Sequence, residues 1–368
     1  MKRQTCLNSD PVIIYLQKNS PMFLNNWINN EVLKSKLKAE KFSRRTVSFY
    51  RYYLLDSPGE LRNRLYQDWS ELNCFGRIYI AREGINAQMS IPEDQLEAFF
   101  LGLKKHPVFD QIPIKYAIED EGKSFYKLTV KVRDKLVADG LSDDAFDVTN
   151  VGNHLSVEEF HELMDSGENI VVDMRNYYES EIGHFKNAIC PEVDTFREEI
   201  ALVSELLAEQ KDRKILLYCT GGIRCEKASA YLKHHGFKDV NQLHGGILEY
   251  ARKIKQLNLK SKFIGKNFVF DERMGETVNG QVISHCHQCA NPCDIHTNCA
   301  NNLCHLLFIQ CPGRGVKYEN CCSQDCCNVK NGTQVDKQNY LLKTKRKFGN
   351  RQVYRKSFSL ANNNFTGI

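Results

Sequence analysis

Cys219 stands in the setting of this chain best suited to making sulfur reactive. The apolar run Ile215 to Tyr218 is long enough for one buried strand. It ends at Cys219 and is followed by Thr220, Gly221, Gly222, Ile223, Arg224 and Cys225. A helical pattern then begins: Ala228, Tyr231 and Leu232 lie three or four apart, and Gly236 stands where a helix should stop. Backbone N–H groups of such a loop can point inward, and the first helical turn adds positive potential. Both favour a thiolate, so Cys219 should titrate well below the free value of ~8.5. The chemistry expected is nucleophilic sulfur beside an anion-binding loop.

The spacing narrows the kind of loop. Four residues separate Cys219 from Arg224, one fewer than in the cysteine phosphatase pattern. The segment resembles the rhodanese active loop, whose cysteine carries a persulfide. A second signature points the same way: a strand-like Asn169 to Asp173, then Arg175, Glu179 and Gly183-His184-Phe185-Lys186-Asn187-Ala188. It is similar to the rhodanese motif of a strand ending in Asp-x-Arg, a later Glu, and Gly-His-x-x-x-Ala. Asp173, Arg175, Glu179 and His184 are then supporting residues. Val240 to Gly246 matches the last strand and its glycine turn. The resemblance implies an α/β domain with a parallel sheet over residues 150–256. The plainer reading, a buried cysteine on an ordinary α/β turn, leaves the three ordered motifs unexplained.

These parts need a scaffold, and 368 residues are enough for two or three domains with cores of their own. A formal charge of +5 is mild, so only its distribution is informative. No apolar run approaches the ~18 residues of a membrane span. Val12 to Tyr15 is too short for the core of a secretory signal. A cytoplasmic protein is expected, with its fifteen cysteines read as reduced thiols or metal ligands.

Residues 1–45 read as an N-terminal extension, partly helical around Glu31 to Lys41. Residues 46–140 alternate strand and helix patterns. The aromatic and branched run Val47 to Leu55 is a strand, and Ser57-Pro58-Gly59-Glu60 starts a helix with a cap, a first-turn proline and an acid. Strands at Gly76 to Ala81 and Ile85 to Ile91, joined by Arg82-Glu83-Gly84, precede a second helix opened by Pro92. The order βαββαβ predicts a ferredoxin-like or acylphosphatase-like α+β sandwich. The fold names no function. Arg77, Arg82 and Lys115 fit a nucleic-acid face, but solvated surface charge is the favoured reading.

Residues 267–330 form a different module. Ten cysteines fall between His285 and Cys327: Cys286, Cys289, Cys293, Cys299, Cys304, Cys311, Cys321, Cys322, Cys326 and Cys327. A segment so poor in apolar residues needs cross-links. Zinc is favoured over disulfides in reducing surroundings, one or two ions fit, and spacing alone does not pair the ligands. An iron–sulfur cluster has the same Cys-x2-Cys spacing. The tail 331–368 is expected to lack fixed structure and is basic, with Lys343, Lys345, Arg346, Lys347, Arg351 and Arg355 among aromatic residues. Such a tail either solubilises or binds RNA, with cations on phosphates and rings on unpaired bases. Beside a Cys-rich module, RNA is the better reading.

From about Thr46 to Cys327 the chain resembles the rhodanese-domain tRNA uridine hydroxylases, bacterial enzymes that make 5-hydroxyuridine at the wobble position with molecular oxygen. The resemblance rests on Arg82-Glu-Gly-Ile-Asn-Ala87, Cys219-Thr-Gly-Gly-Ile-Arg-Cys-Glu-Lys227, and the run from Cys286-His-Gln-Cys289 to Cys304-His-Leu-Leu-Phe-Ile-Gln-Cys311. It implies that the active-loop cysteine is Cys219, that oxygen is co-substrate and that tRNA is the partner. One departure stands out. A further cysteine is expected soon after Cys311, where this chain has Pro312-Gly313-Arg314-Gly315, so one zinc site should be incomplete unless a histidine substitutes.

No Gly-x-Gly-x-x-Gly follows a strand, and no two-histidine, one-carboxylate set is evident, so the residues themselves offer only sulfur chemistry. The Cys219 thiolate could add to C6 of uracil, or an oxidised sulfur could pass oxygen on. Cys225 either resolves an oxidised Cys219 or packs in the helix's first turn. Two other functions compete: a plain sulfurtransferase carrying a cysteine persulfide, and an idle rhodanese domain used for binding. The intact Cys219 disfavours the second, and the RNA-suited flanks disfavour the first.

Overall fold

The computed structural model describes residues 29–120, 122, 124–142 and 145–344, with the backbone of 352 and 353. Helix α1 (Asn30–Ala39) lies in the N-terminal extension. An α+β sandwich follows: β1 (Arg44–Tyr52), α2 (Pro58–Glu71), β2 (Phe75–Ala81), β3 (Gly84–Pro92), α3 (Leu96–Leu103), β4 (Lys115–Tyr116) and β5 (Leu128–Val132). The strand order is β4-β1-β3-β2-β5, the ferredoxin-like order with β5 added parallel to β2.

Alternation along these strands splits the sheet into two faces. Val47, Phe49, Ile78, Ile80, Ile85, Ala87, Met89 and Val130 pack under α2 and α3 against Leu61, Leu65, Trp69 and Phe99. The opposite face is polar and, among the described residues, no helix of the same domain covers it. Register lines it up in two rows across the strands. One row runs Lys115, Ser48, Gln88, Arg77; the other runs Tyr50, Asn86, Tyr79.

The central domain contains β6 (Asn153–Leu155), α4 (Val157–Leu163), β7 (Ile170–Asp173), α5 (Tyr177–Ser180), β8 (Gly183–Phe185), α6 (Phe196–Leu206), β9 (Lys214–Tyr218), α7 (Ile223–His234), β10 (Asp239–Leu243) and α8 (Gly246–Gln256). Its sheet is parallel, in the order β6-β10-β9-β7. Phe196, Ile200, Val203, Ala228 and Leu232 from α6 and α7 cover one face. Val157, Phe160, Ile247, Tyr250 and Ile254 from α4 and α8 cover the other. Both faces are buried, which is why Ile215, Leu216, Leu217 and Tyr218 form an unbroken apolar run fully removed from solvent.

The C-terminal module is joined to this core through β11 (Phe263–Asn267), which pairs antiparallel with β8 and with β12 (Glu276–Thr277). Its own hairpin is β13 (His296–Asn298) with β14 (Leu306–Ile309), followed by α9 (Pro312–Lys317) and α10 (Gln324–Asn331). Within the segment 331–368, expected to lack fixed structure, the described residues include two regular elements. Helix α11 occupies Gln334–Thr344, and β15 (Gln352–Val353) pairs parallel with β14. Tyr340 explains the helix: its ring packs on the cysteine cluster and its hydroxyl lies 3.5 Å from the Cys326 sulfur, a partner that charge counting along the tail could not reveal.

Candidate active site

Cys219 sits at the carboxyl end of β9, the side of an open α/β sheet where ligands bind. The loop turns because Gly222, the residue before α7, takes a φ of 102°. Its N–H then donates to the Cys219 sulfur at 3.1 Å. Burial alone would push this thiol up. The Cys225 thiol, the Arg224 guanidinium and the N–H groups of residues 225 and 224 outweigh it and bring the pKa down to about 5. Burial and the neighbouring sulfur push Cys225 the opposite way, so it stays protonated and can donate.

Arg224 is held by Glu179. The guanidinium makes two parallel hydrogen bonds to that carboxylate, at 2.6 and 2.9 Å, and a longer one of 3.4 Å to the Thr220 hydroxyl. Glu179 is fully buried, so removing either partner would strand a charge at a cost of about 3–5 kcal/mol. Asp173 and Arg175 pair at 2.6 Å with neither side chain exposed, and Arg175 also donates to the Gly183 carbonyl. They brace the end of β7 against β8. His184 lies on β8, its Nδ1 2.9 Å from the Phe185 carbonyl. Of the four motif residues, Glu179 alone reaches the active loop, through Arg224.

Gly221 and Ile223 line a cavity of about 440 Å³ together with Cys219, Thr220 and Arg224. Its roof is the polar face of the N-terminal sheet, including Ser48, Tyr50, Tyr79, Asn86, Gln88 and Lys115. Tyr50 donates to Glu226 at 3.0 Å, and Tyr52 to the Ile223 carbonyl at 3.4 Å. Lys227 of α7 is clamped between Glu83 (3.0 Å) and Asp139 (2.8 Å). Glu83 thus explains the Arg82-Glu83-Gly84 turn: it reaches across to the helix that starts at the active loop. Lys115, expected to be solvated, is buried in the roof. Arg77 is exposed but donates to the Phe270 carbonyl, and Arg82 is exposed. Tyr50, Asn86, Gln88 and Glu226 were not foreseen as site residues. The signal was present in the period-two alternation of β1 and β3, whose polar face had no evident partner within its own domain.

The cysteines divide into two groups. Sulfurs of Cys299, Cys304, Cys322 and Cys326 lie within 4.8 Å of one another, all buried, with 3.7 Å between Cys304 and Cys322 and 3.5 Å between Cys322 and Cys326. Four thiolates at the zinc–sulfur distance of ~2.3 Å stand about 3.8 Å apart, so this donor set fits a tetrahedral metal. Cys286, Cys289 and Cys311 form the second group, with 3.6 Å between Cys289 and Cys311. Among the described residues no histidine or carboxylate joins it. Arg314 instead hydrogen-bonds to Cys289.

Cys293 and Cys321, taken from sequence as ligands, belong to neither group. Cys293 packs with Phe268, Leu307 and Ile309, while Cys321 packs beside the four-sulfur set and its carbonyl accepts from Gln288 and Gln310. Of the basic residues assigned to RNA, Lys343 is exposed on α11. Lys345, Arg346, Lys347, Arg351 and Arg355 lie outside the described residues. Among the described residues no helix is long and apolar enough to cross a membrane.

Comparison with known proteins bears on all three parts. Residues 44–136 match the model of the UPF0176 acylphosphatase-like domain, 156–253 the rhodanese-like domain, and 264–327 the rhodanase C-terminal domain. A tRNA uridine(34) hydroxylase of Leptospira interrogans is 58% identical over 306 residues, covering 83% of each chain. One of Yersinia pestis is 53% identical over 304 residues, covering 82% of this chain and 86% of its own. With identity this high over most of both lengths, the chain belongs to the tRNA uridine(34) hydroxylase family.

Proposed function

We propose that the protein hydroxylates the wobble uridine of tRNA, position 34, at C5, and that Cys219 is the reacting group. One observation carries the assignment of residue: the Cys219 sulfur, with a pKa near 5, lies on a cavity whose opposite wall is a polar sheet. At neutral pH it is a thiolate. Its addition to C6 of uracil forms a sulfur–carbon bond and moves the C5–C6 π pair toward C5, the carbon that gains the hydroxyl. Molecular oxygen is the co-substrate: one of its atoms becomes the C5 hydroxyl and the other leaves as water, with two electrons and two protons from an external reductant. Loss of the C5 proton re-forms the C5–C6 double bond and expels the Cys219 thiolate.

The substrate makes tRNA the partner and the cytoplasm the site of action. A wobble base already lies in a single-stranded loop, so seating it over Cys219 needs little unpairing. Cys299, Cys304, Cys322 and Cys326 hold a structural zinc that folds the C-terminal module, and the basic residues after α11 contact phosphates. The sulfurtransferase reading is less well supported, because the relatives similar over most of their length are named hydroxylases.

The test is mass spectrometry of wobble nucleosides from cells lacking the native gene and supplied with wild-type or Cys219→Ala protein. The variant should fold and leave 5-hydroxyuridine absent. Undiminished 5-hydroxyuridine with Cys219→Ala would remove Cys219 from the chemistry.

A further inference from the structure

We infer that the polar face of the N-terminal sheet reads the base, and that Lys115 holds a carbonyl oxygen of uracil and so selects uracil over cytosine. The inference rests on the function proposed above and names the residues that give it base specificity.

The placement comes from strand register. Lys115 and Gln88 both flank Ser48, on opposite sides, and Asn86 lies between Tyr50 and Tyr79 in the next row. These side chains line the cavity opposite the active loop. Lys115 also reaches the second loop of the rhodanese domain: a Cβ on Gly245 would stand 3.8 Å from its Cε. The adjacent Gly246 is packed so tightly on the active loop that a Cβ there would lie 2.5 Å from the Cys219 carbonyl oxygen. Lys115 thus overhangs the turn that closes on the nucleophile.

Its environment is unusual for a lysine. The residue is 9% exposed, yet among the described residues no carboxylate stands within ion-pair distance and no hydrogen bond is made. Its nearest partner is the Tyr50 ring, 4.3 Å from Nζ to the centroid. Burial lowers its pKa to about 8 against the opposing pull of Cys219, Glu226 and Glu249. The side chain is buried, but its head opens on the cavity without a protein acceptor, so its donors are left for a ligand. The Asn86 and Gln88 carboxamides likewise have no hydrogen-bond partner among the described residues.

The chemistry of the missing partner follows. An ammonium offers three donors and no acceptor. Uracil presents the O4 carbonyl as an acceptor where cytosine presents an N4 amino donor. A carboxamide can turn to suit either base, but Lys115 cannot, and against cytosine it would set donor against donor. Lys115 therefore discriminates, while Asn86 and Gln88 fill the remaining edge positions. The same ammonium would steady the negative charge that develops on O4 when a thiolate adds at C6.

The test measures binding of full-length protein to two anticodon stem-loop RNAs that differ only in U34 or C34. Wild type should prefer U34. Lys115→Met should lose about tenfold in U34 affinity, the scale of one charged hydrogen bond, with C34 affinity little changed. Lys115→Arg keeps charge and donors and should keep the preference. Iodoacetamide alkylation of Cys219 monitors the loop in each variant. The inference is overturned if wild type binds both RNAs equally, if Lys115→Met keeps the preference, or if Lys115→Arg loses it with normal alkylation. None of these readouts needs turnover. A wild type that prefers U34 but makes no 5-hydroxyuridine therefore leaves base selection standing and counts against the proposed reaction alone.

Discussion

The hydroxyl of Tyr50 rests on Gly222, so closely that a methyl group at 222 would stand 2.7 Å from its oxygen. Tyr50 belongs to the N-terminal sheet and Gly222 to the active loop, so the roof of the cavity and the N–H that supports the Cys219 sulfur meet at one point. The glycine is needed twice, for its φ of 102° and for the space under the tyrosine. Gly222→Ala should cost about 1–3 kcal/mol in stability from backbone strain. It should also turn the 222 N–H away from Cys219. Thermal unfolding and the pH profile of Cys219 alkylation check the two effects separately, and an unchanged profile would mean the loop tolerates the methyl.

Cys225 offers a sharper probe of the same charge. The thiolate is the form that reacts with iodoacetamide, so alkylation of Cys219 rises with pH through its pKa and is level above it. In the wild type the rise should centre near pH 5. Cys225→Ala removes a donor that favours the charged form, so the midpoint must move to higher pH. The rate at pH 5 should fall, with little change at pH 9. A midpoint that stays in place would return Cys225 to packing alone.

The rhodanese domain and its loop could be read from sequence because their determinants are local. A four-residue apolar strand, a glycine turn and a helix pattern lie within about twenty positions of Cys219. The sandwich was legible for the same reason, through period-two alternation and a well-formed helix start at Ser57. What covers the loop was not. The bonds from Tyr50 to Glu226 and from Lys227 to Glu83 span 176 and 144 residues, and nothing in either segment names the other. Lys115 illustrates the cost of that: a lysine beside a short strand reads as surface charge until the second domain is set against it. Pairing of the cysteines failed for a related reason, since Cys321 and Cys322 are adjacent and only the fold sends one sulfur to the four-sulfur group.

Metal content should follow the two groups of cysteines. Purified protein should carry about one zinc, lost in Cys322→Ser, because a four-thiolate site contributes ~10 kcal/mol or more of folding free energy. The three-thiol group is a poorer cation site, with the Arg314 guanidinium bonded to Cys289. Arg314→Cys removes that positive charge and supplies a fourth sulfur on the first turn of α9, so elemental analysis of this variant should rise by about one zinc. Two zinc ions in the wild type would show that the three thiols and a water suffice.

The basic tail can be tested without disturbing the fold. Truncation after Cys327 would remove Tyr340, which covers the four-cysteine cluster, and the pairing of β15 with β14. Substituting Lys345, Arg346 and Lys347 together by glutamine leaves both in place. If these residues neutralise phosphates, tRNA affinity should fall, and the slope of log affinity against log salt should flatten by roughly 0.7–0.9 for each phosphate no longer neutralised. The ratio of U34 to C34 binding should not change, because cations on phosphates position the RNA and carry no base information. Lys115→Met should do the reverse, changing the ratio with little effect on the slope, since its partner is a carbonyl oxygen. A triple variant with unaltered affinity and slope would leave phosphate binding to other surfaces and the tail to solubility.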